Sequence, residues 1–124
     1  MENKDYQILA HIKDWCQRIA DAINNHGNSK DIFLENPLYQ DRIAMEILQI
    51  GQISNYLSKE LKKSSANIIP WQKIHHVRNI FAHHKNNLNI DELWDNATIH
   101  IPVLYEYCKK ELSNHEAAEE KRTS

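Results

Sequence analysis

The stretch PLYQDRIAMEILQIGQISNYLSKEL, from Pro37 to Leu61, decides the fold class of this 124-residue chain. Its apolar side chains recur every three or four residues, which is the period of one helix face. Asn36 followed by Pro37 is typical of a helix start, because asparagine caps free amide groups and proline fits the first helical position. The main stripe comprises Ile43, Ile47, Ile50, Ser54, Leu57 and Leu61. We therefore predict one long amphipathic helix that ends near Leu61.

A second stripe, formed by Ala44, Leu48 and Gly51, lies beside the first on the same predicted helix. A helix with two apolar stripes must bury both, either against its own chain or against another subunit. Gly51 costs about 1 kcal/mol of helix propensity relative to alanine, so the close approach of another backbone would explain it. The second stripe is therefore one reason to expect a dimer.

Three further segments have the same helical period. The first helix is predicted from about residue 3 to 25, with Gly27 as its C-terminal cap. A short apolar cluster at 32–34 predicts an extra helical turn, and 62–69 is predicted to be a polar loop. Pro70 then starts a third helix. Its predicted buried stripe consists of Trp71, Ile74, Val77 and Phe81.

The last helix is predicted to begin at a capping box, in which Asn89 is the cap and Glu92 reaches back to it. Pro102 is expected to kink this helix. Its buried stripe comprises Trp94, Ala97, Ile101, Leu104, Cys108 and Leu112. These patterns predict an all-α protein, an antiparallel four-helix bundle with a short extra helical turn between helices 1 and 2. The helical domain is predicted to span 1–112, followed by a polar, disordered tail at 113–124.

The composition is that of an ordinary globular protein, with 41% hydrophobic and 26% charged residues. The net charge of -2 provides no global basic field, so any contact with nucleic acid depends on a local site. No apolar run approaches the roughly 20 residues of a membrane span, and no signal-like leader is recognisable. Cys16 and Cys108 fall inside helical patterns as small apolar residues, so we expect a reducing, cytoplasmic location.

Arg78 and His83 are five residues apart on the predicted third helix. Their Cα atoms would lie about 9 Å apart, and long side chains at this spacing can converge on one phosphate. Asn79, four residues before His83, shares its face. A guanidinium stabilises phosphate charge, and an imidazole with an ordinary pKa of about 6.5 can transfer the protons of RNA cleavage. The pattern fits metal-free RNA cleavage, although packed helices also produce this spacing by chance.

Four histidines between residues 75 and 84 raise the question of a metal site. Two ligands on one helix are usually three or four residues apart, and no pair of histidines in this sequence has that spacing. We therefore expect no metal and no cofactor. Asp41 and Glu46 lie where they could pair with Arg78, and a structural salt bridge is their expected role.

The segment IPWQKIHHVRNIFAHHKNNLNIDELWD, residues 69–95, resembles the signature segment of the HEPN superfamily, specifically its HepT-like toxin branch. That branch has a Pro-Trp helix start, an Arg-Asn-x3-His motif and a tryptophan in the fourth helix. The matching residues here, in the same order, are Pro70, Trp71, Arg78, Asn79, His83 and Trp94. The upstream segment IAMEILQIGQISNYLS, residues 43–58, is similar to the second helix of that branch. The resemblance spans about residues 5–112.

The resemblance implies an all-α homodimer in which the two Arg-x4-6-His motifs face each other and form one ribonuclease cleft. It implies cleavage of RNA without a metal, with His83 as general acid and base and Arg78 stabilising phosphate charge. Asn79 would orient His83 or bind phosphate. The candidate substrate-binding residues are His76, His84 and Lys85. Such proteins are toxins of toxin–antitoxin pairs, and their partner is a small MntA-like nucleotidyltransferase-fold antitoxin.

The sequence departs from the better-known members of that branch two residues after His83. Their motif continues His-x-Tyr, and the antitoxin adenylylates the tyrosine, whereas this chain has Lys85 at that position. Adenylylation there is excluded, so inhibition by binding alone is expected. Lys85 is either a phosphate contact or a solvated loop lysine. The missing tyrosine and the negative net charge leave an alternative, a non-catalytic helical module that binds a nucleotidyltransferase partner or a nucleotide.

Overall fold

The structure is a computed structural model that describes residues 3–76 and 89–123. Within these ranges the chain forms helices and turns and no strand, so the predicted all-α class is confirmed. The elements are α1 (Asn3–His26), α2 (Lys30–Leu34), α3 (Pro37–Ser54), α4 (Lys59–Ser65), α5 (71–76), α6 (Ile90–Asp95), a π-helical turn (Asn96–His100) and α7 (Ile101–Thr123). None of the described helices is both long and apolar enough to cross a membrane.

The core lies where α1 packs against α3 on one side and α7 on the other. Every member of the main α3 stripe is buried, as are most of the side chains predicted for the last helix. Cys16 and Cys108 are buried within this core, and burial raises the pKa of the Cys108 thiol to about 12. Both cysteines therefore act as small apolar residues, as the sequence predicts.

The predicted stop after the first helix is confirmed at Gly27. Its φ of 117° is a left-handed conformation that glycine adopts without strain, and its amide donates to the Ile23 carbonyl at 2.9 Å. The Tyr39 hydroxyl donates to the Gly27 carbonyl at 3.1 Å and ties the start of α3 to this turn. The predicted extra helical turn is α2, and Ser29 caps it.

The second helix is shorter than predicted, because α3 ends at Ser54 and a separate helix, α4, spans the last predicted turn and the first half of the predicted polar loop. In a continuous helix the Ser58 amide would donate to the Ser54 carbonyl. It donates instead to Asp5 Oδ1 at 2.8 Å, while the Ser58 hydroxyl donates to Asp5 Oδ2 at 2.7 Å. Ser58 then caps α4 by accepting from the Leu61 amide. A buried carboxylate from α1 therefore ends one helix and orients the next.

The second stripe of α3 is covered mainly by its own chain. Ala44 and Gly51 are buried and Leu48 is half-buried, so this stripe no longer argues for a dimer. The apolar side chains that remain outside belong to another face of α3. Leu38 is 78% exposed and Met45 46% exposed. Tyr56, two residues after the helix, is 67% exposed.

The last helix is interrupted just before Pro102, as the proline predicts. The Ile101 amide donates to the Asn96 carbonyl, five residues back, which defines a π-helical turn at Asn96–His100. Proline has no amide hydrogen and its ring collides with the carbonyl four residues earlier in a regular α-helix. A wider turn directly before Pro102 is one way to accommodate that ring.

Residues 113–123 are helical and continue α7, which differs from the predicted disordered tail. The segment EAAEEK, residues 116–121, consists of strong helix formers, which explains how it extends the helix with little burial. The His115 ring also stacks on Tyr6 of α1, with ring centroids 3.5 Å apart. The domain boundary at residue 112 stays a prediction.

Candidate functional site

The segment just before the predicted catalytic motif is α5, and two neighbouring helices hold it in place. The Trp71 indole Nε1 donates to Ser65 Oγ at 2.9 Å, and Ser65 Oγ donates to the Leu61 carbonyl at 2.8 Å. Trp71 and Ile74 are buried, as predicted. The start of α5 is therefore fixed to the end of α4 through a buried hydrogen-bond relay.

A second contact joins α5 to the end of α3. Ser54 Oγ donates its one proton to the Gly51 carbonyl at 3.0 Å. The same oxygen lies 2.9 Å from His75 Nε2, within hydrogen-bond distance. The His75 ring is therefore held against the end of α3.

His76 lies on the exposed side of α5 and faces the start of α6. Its Nε2 is 3.8 Å from Glu92 Oε1. Asn89 Oδ1 accepts from the Glu92 amide at 3.1 Å, which confirms Asn89 as the cap of the last helix, while the return contact from Glu92 to Asn89 stays a prediction. Residue 76, which precedes the motif-bearing segment, and residue 89, which follows it, therefore both contact Glu92.

His76 also lines a cavity of about 440 Å³, together with Lys62, Trp71, Gln72 and His75. Its side chain is 54% exposed, so a ligand in this cavity can reach it. The other predicted site residues lie in the segment 77–88, outside the described residues, and their roles stay predictions. They are Arg78, Asn79, His83, His84 and Lys85.

Glu46, which the sequence places near Arg78, is 8% exposed and accepts from Arg42 Nε at 3.2 Å. This pair belongs to α3 alone, one helical turn apart, and is the kind of structural salt bridge expected for Glu46. Its second oxygen, Oε2, is buried without a hydrogen-bond partner in the part of the chain that the structure describes. Pairing of Glu46 or Asp41 with Arg78 stays a prediction.

A second polar cavity, of about 310 Å³, lies where α5 meets α6 and the π-helical turn. Lys73, Glu92, Asn96 and His100 are among its lining residues. Burial lowers the pKa of His100, and the charge of Lys73 lowers it further, whereas Asp95 raises it. Asn96 is buried, and neither atom of its side-chain amide has a hydrogen-bond partner within 3–76 and 89–123. Sequence reasoning missed this cavity, for which Pro102 was the only indirect signal.

The described elements form an all-α helical fold. A family model described as "Ribonuclease HepT-like" matches residues 8–111, which is most of the chain and includes the whole segment 77–88. The chain belongs to this HepT-like ribonuclease family. No solved structure matches it.

Proposed function

We propose that this protein is a metal-independent endoribonuclease and the toxin of a toxin–antitoxin pair. The observation that carries the proposal is the family match over residues 8–111, within which Arg78 and His83 stand at the spacing of the family motif. Membership of a ribonuclease family supports RNA as the substrate. The motif residues, the absence of a metal requirement and the toxin role are the proposed refinements.

In the proposed reaction the ribose 2′-oxygen attacks the adjacent phosphorus while the bond from phosphorus to the 5′-oxygen breaks. His83 takes the 2′-hydroxyl proton or gives a proton to the leaving 5′-oxygen, and Arg78 stabilises the charge on the phosphate. Asn79 orients His83 or binds phosphate. The hydrogen bonds that fix Trp71 and His75 support this assignment, because they hold the helix start from which the motif continues.

Cleavage of RNA in excess EDTA by wild type, His83→Ala and His11→Ala tests the catalytic assignment. General acid–base catalysis contributes roughly 100-fold to 10,000-fold, so His83→Ala should lose at least about 100-fold in rate. His11 is an exposed histidine on α1, and its replacement should leave the rate unchanged. Equal rates for wild type and His83→Ala would refute the assignment.

The proposed active form is a homodimer, because the family cleft is formed by two copies of the motif. The exposed side chains of Leu38 and Met45 support it. They are seven residues apart on α3, which places them within about 20° of each other on one face. Tyr56 extends this apolar face beyond the helix end. Exposed apolar side chains aligned in this way are typical of an interaction surface.

The proposed partner is a nucleotidyltransferase-fold antitoxin that inhibits by binding, since Lys85 occupies the position of the modified tyrosine. Expression of the chain alone should arrest growth, and Arg78→Ala should relieve the arrest. The alternative function, a non-catalytic docking module, predicts no arrest by either protein but the same co-purification with the partner. The missing tyrosine is the observation that keeps this alternative open.

A further inference from the structure

The surface formed by α4 and α5 carries a positive charge that the whole chain does not have. Lys59, Lys62 and Lys63 occupy one face of α4, at the spacing of three and four residues that aligns side chains on a helix. The opposite face of α4 buries Leu61 and Ser65. The Lys62 side chain also lines the 440 Å³ cavity, together with residues of α5. We call Lys59, Lys62, Lys63, His75 and His76 the α4–α5 basic surface.

The charges of this chain are segregated along the sequence. Residues 59–65 contain three lysines and a single acidic residue, Glu60, which is a formal charge of +2, against -2 for the whole chain. The acidic side chains of Asp91, Glu92 and Asp95 lie instead around the second cavity, with Lys73. A polyanion that meets this protein is therefore attracted to the lysine face of α4 and repelled from the second cavity, and the Glu92 carboxylate, 3.8 Å from His76, lies at the border between them.

The cations of this surface stand on a fixed backbone. Asp5 binds the Ser58 amide and hydroxyl at the start of α4, and Trp71 binds Ser65 at its end. The Lys62 ammonium donates to the Asn55 carbonyl at 3.4 Å, so its side chain already reaches back over the end of α3. A preorganised surface loses less conformational entropy when a ligand binds, which favours binding.

We propose that the α4–α5 basic surface binds the phosphodiester backbone of the RNA strand beside the bond to be cleaved. The proposal rests on the ribonuclease function above. Lysine ammonium groups and the exposed His76 ring can donate to phosphate, and the Gln72 amide adds a neutral donor in the same cavity. The 440 Å³ cavity lies within the size range of sites for small ligands, about 300–1,000 Å³, and can hold one nucleotide.

The test is RNA affinity as a function of salt, measured by fluorescence anisotropy with a labelled single-stranded oligonucleotide. The full-length chain carries His83→Ala so that the probe is not cleaved. Lys62→Gln with Lys63→Gln removes two cations while keeping good helix formers. Lys109→Gln with Lys110→Gln is the matched control, since these are also adjacent lysines, and both are exposed on α7. Thermal unfolding of each variant verifies that it is folded.

We expect the Lys62/Lys63 variant to bind RNA at least 10-fold more weakly at low salt. The slope of log affinity against log salt should fall by about 1.4, since each lost phosphate contact removes about 0.7 for single strands. The control should bind like its parent. Equal loss of RNA affinity in both double variants, or no loss in either, would overturn the proposal. Polyglutamate is the comparison polyanion, and a loss of affinity for polyglutamate but not for RNA would also overturn it. Binding is measured without cleavage, so a wild type that binds here but fails to cleave refutes only the proposed function.

Discussion

At the scale of single residues, Asp5 joins α1 to the start of α4. Its fully buried carboxylate accepts two hydrogen bonds from Ser58, 53 residues away. Each bond to a carboxylate contributes roughly 1.5–3 kcal/mol, and its removal leaves the half-buried Ser58 amide without this partner. Asp5→Ala should therefore lower the free energy of unfolding by roughly 2–4 kcal/mol in urea denaturation.

Asp14→Ala is the matched control, because Asp14 is an exposed aspartate on the same helix. It should change the free energy of unfolding by no more than about 0.5 kcal/mol. A double-mutant cycle with Ser58→Ala should give a coupling of about 1 kcal/mol or more. Additive effects of Asp5→Ala and Ser58→Ala would show that this contact does not join α1 to α4.

His100 provides a pH-dependent contribution with a defined sign. Its folded pKa lies below the ordinary 6.5, first because of burial and then because of Lys73. Between the lowered pKa and 6.5 the unfolded chain binds a proton that the folded chain does not. The free energy of unfolding therefore rises as the pH increases through this window. Above pH 6.5 the stability that was lost to protonation of His100 on unfolding is fully restored.

Urea denaturation of wild type and His100→Gln at about pH 5 and pH 8 measures this contribution. The variant should gain stability relative to wild type at the lower pH, because it lacks the group that protonates on unfolding. His11→Gln, on an exposed histidine of α1, is the comparison. A difference between wild type and His100→Gln that is the same at both pH values would contradict the account.

At the scale of elements, the sequence predicts the buried faces better than the helix ends. The stripe from Ile43 to Leu61 is buried as its period requires, although the backbone changes helix at Ser58. Local signals such as Asn36-Pro37 and Gly27 also predict their boundaries correctly. The break before α4 depends on Asp5, which is distant in sequence, and a local pattern cannot show that contact. The same limit applies to Glu92, whose contact with His76 spans 16 positions.

For the candidate site, the sequence predicts which residues take part, and the structure shows the surroundings of the one that it describes, His76. The structure places His76 in a cavity with Lys62 and His75, a neighbourhood created by α4, whose second half, 62–65, the sequence pattern predicted as loop. The lysines of α4 were missed because a lysine-rich loop and a lysine-bearing helix face look alike without the helix boundaries. Arg78 and His83 themselves stay predictions supported by the family match.

At the scale of the whole molecule, the exposed face of Leu38, Met45 and Tyr56 makes a prediction about assembly. Wild type should sediment as a dimer at micromolar concentration, and Leu38→Glu with Met45→Glu should give a folded monomer, because two charges cannot be buried in an apolar interface without a large cost. The monomer should also lose ribonuclease activity, since the proposed cleft needs two motifs.

Ile99→Glu is the control for this experiment, because Ile99 is an exposed apolar residue, 54% exposed, that lies in the π-helical turn and not on α3. It should leave both the dimer and the activity intact. A wild type that sediments only as a monomer would count against the composite cleft. A dimer that survives both α3 substitutions would place the interface elsewhere.

The most direct test of the account is the chemistry of the RNA ends that the wild-type protein produces in excess EDTA. Attack by the neighbouring 2′-oxygen, assisted by an imidazole and a guanidinium, must leave a 2′,3′-cyclic phosphate on one fragment and a 5′-hydroxyl on the other. Mass spectrometry of a cleaved oligonucleotide distinguishes these ends. The account predicts the cyclic phosphate, lost together with cleavage in Arg78→Ala and His83→Ala. Fragments with a 5′-phosphate, or cleavage that requires added metal, would contradict it.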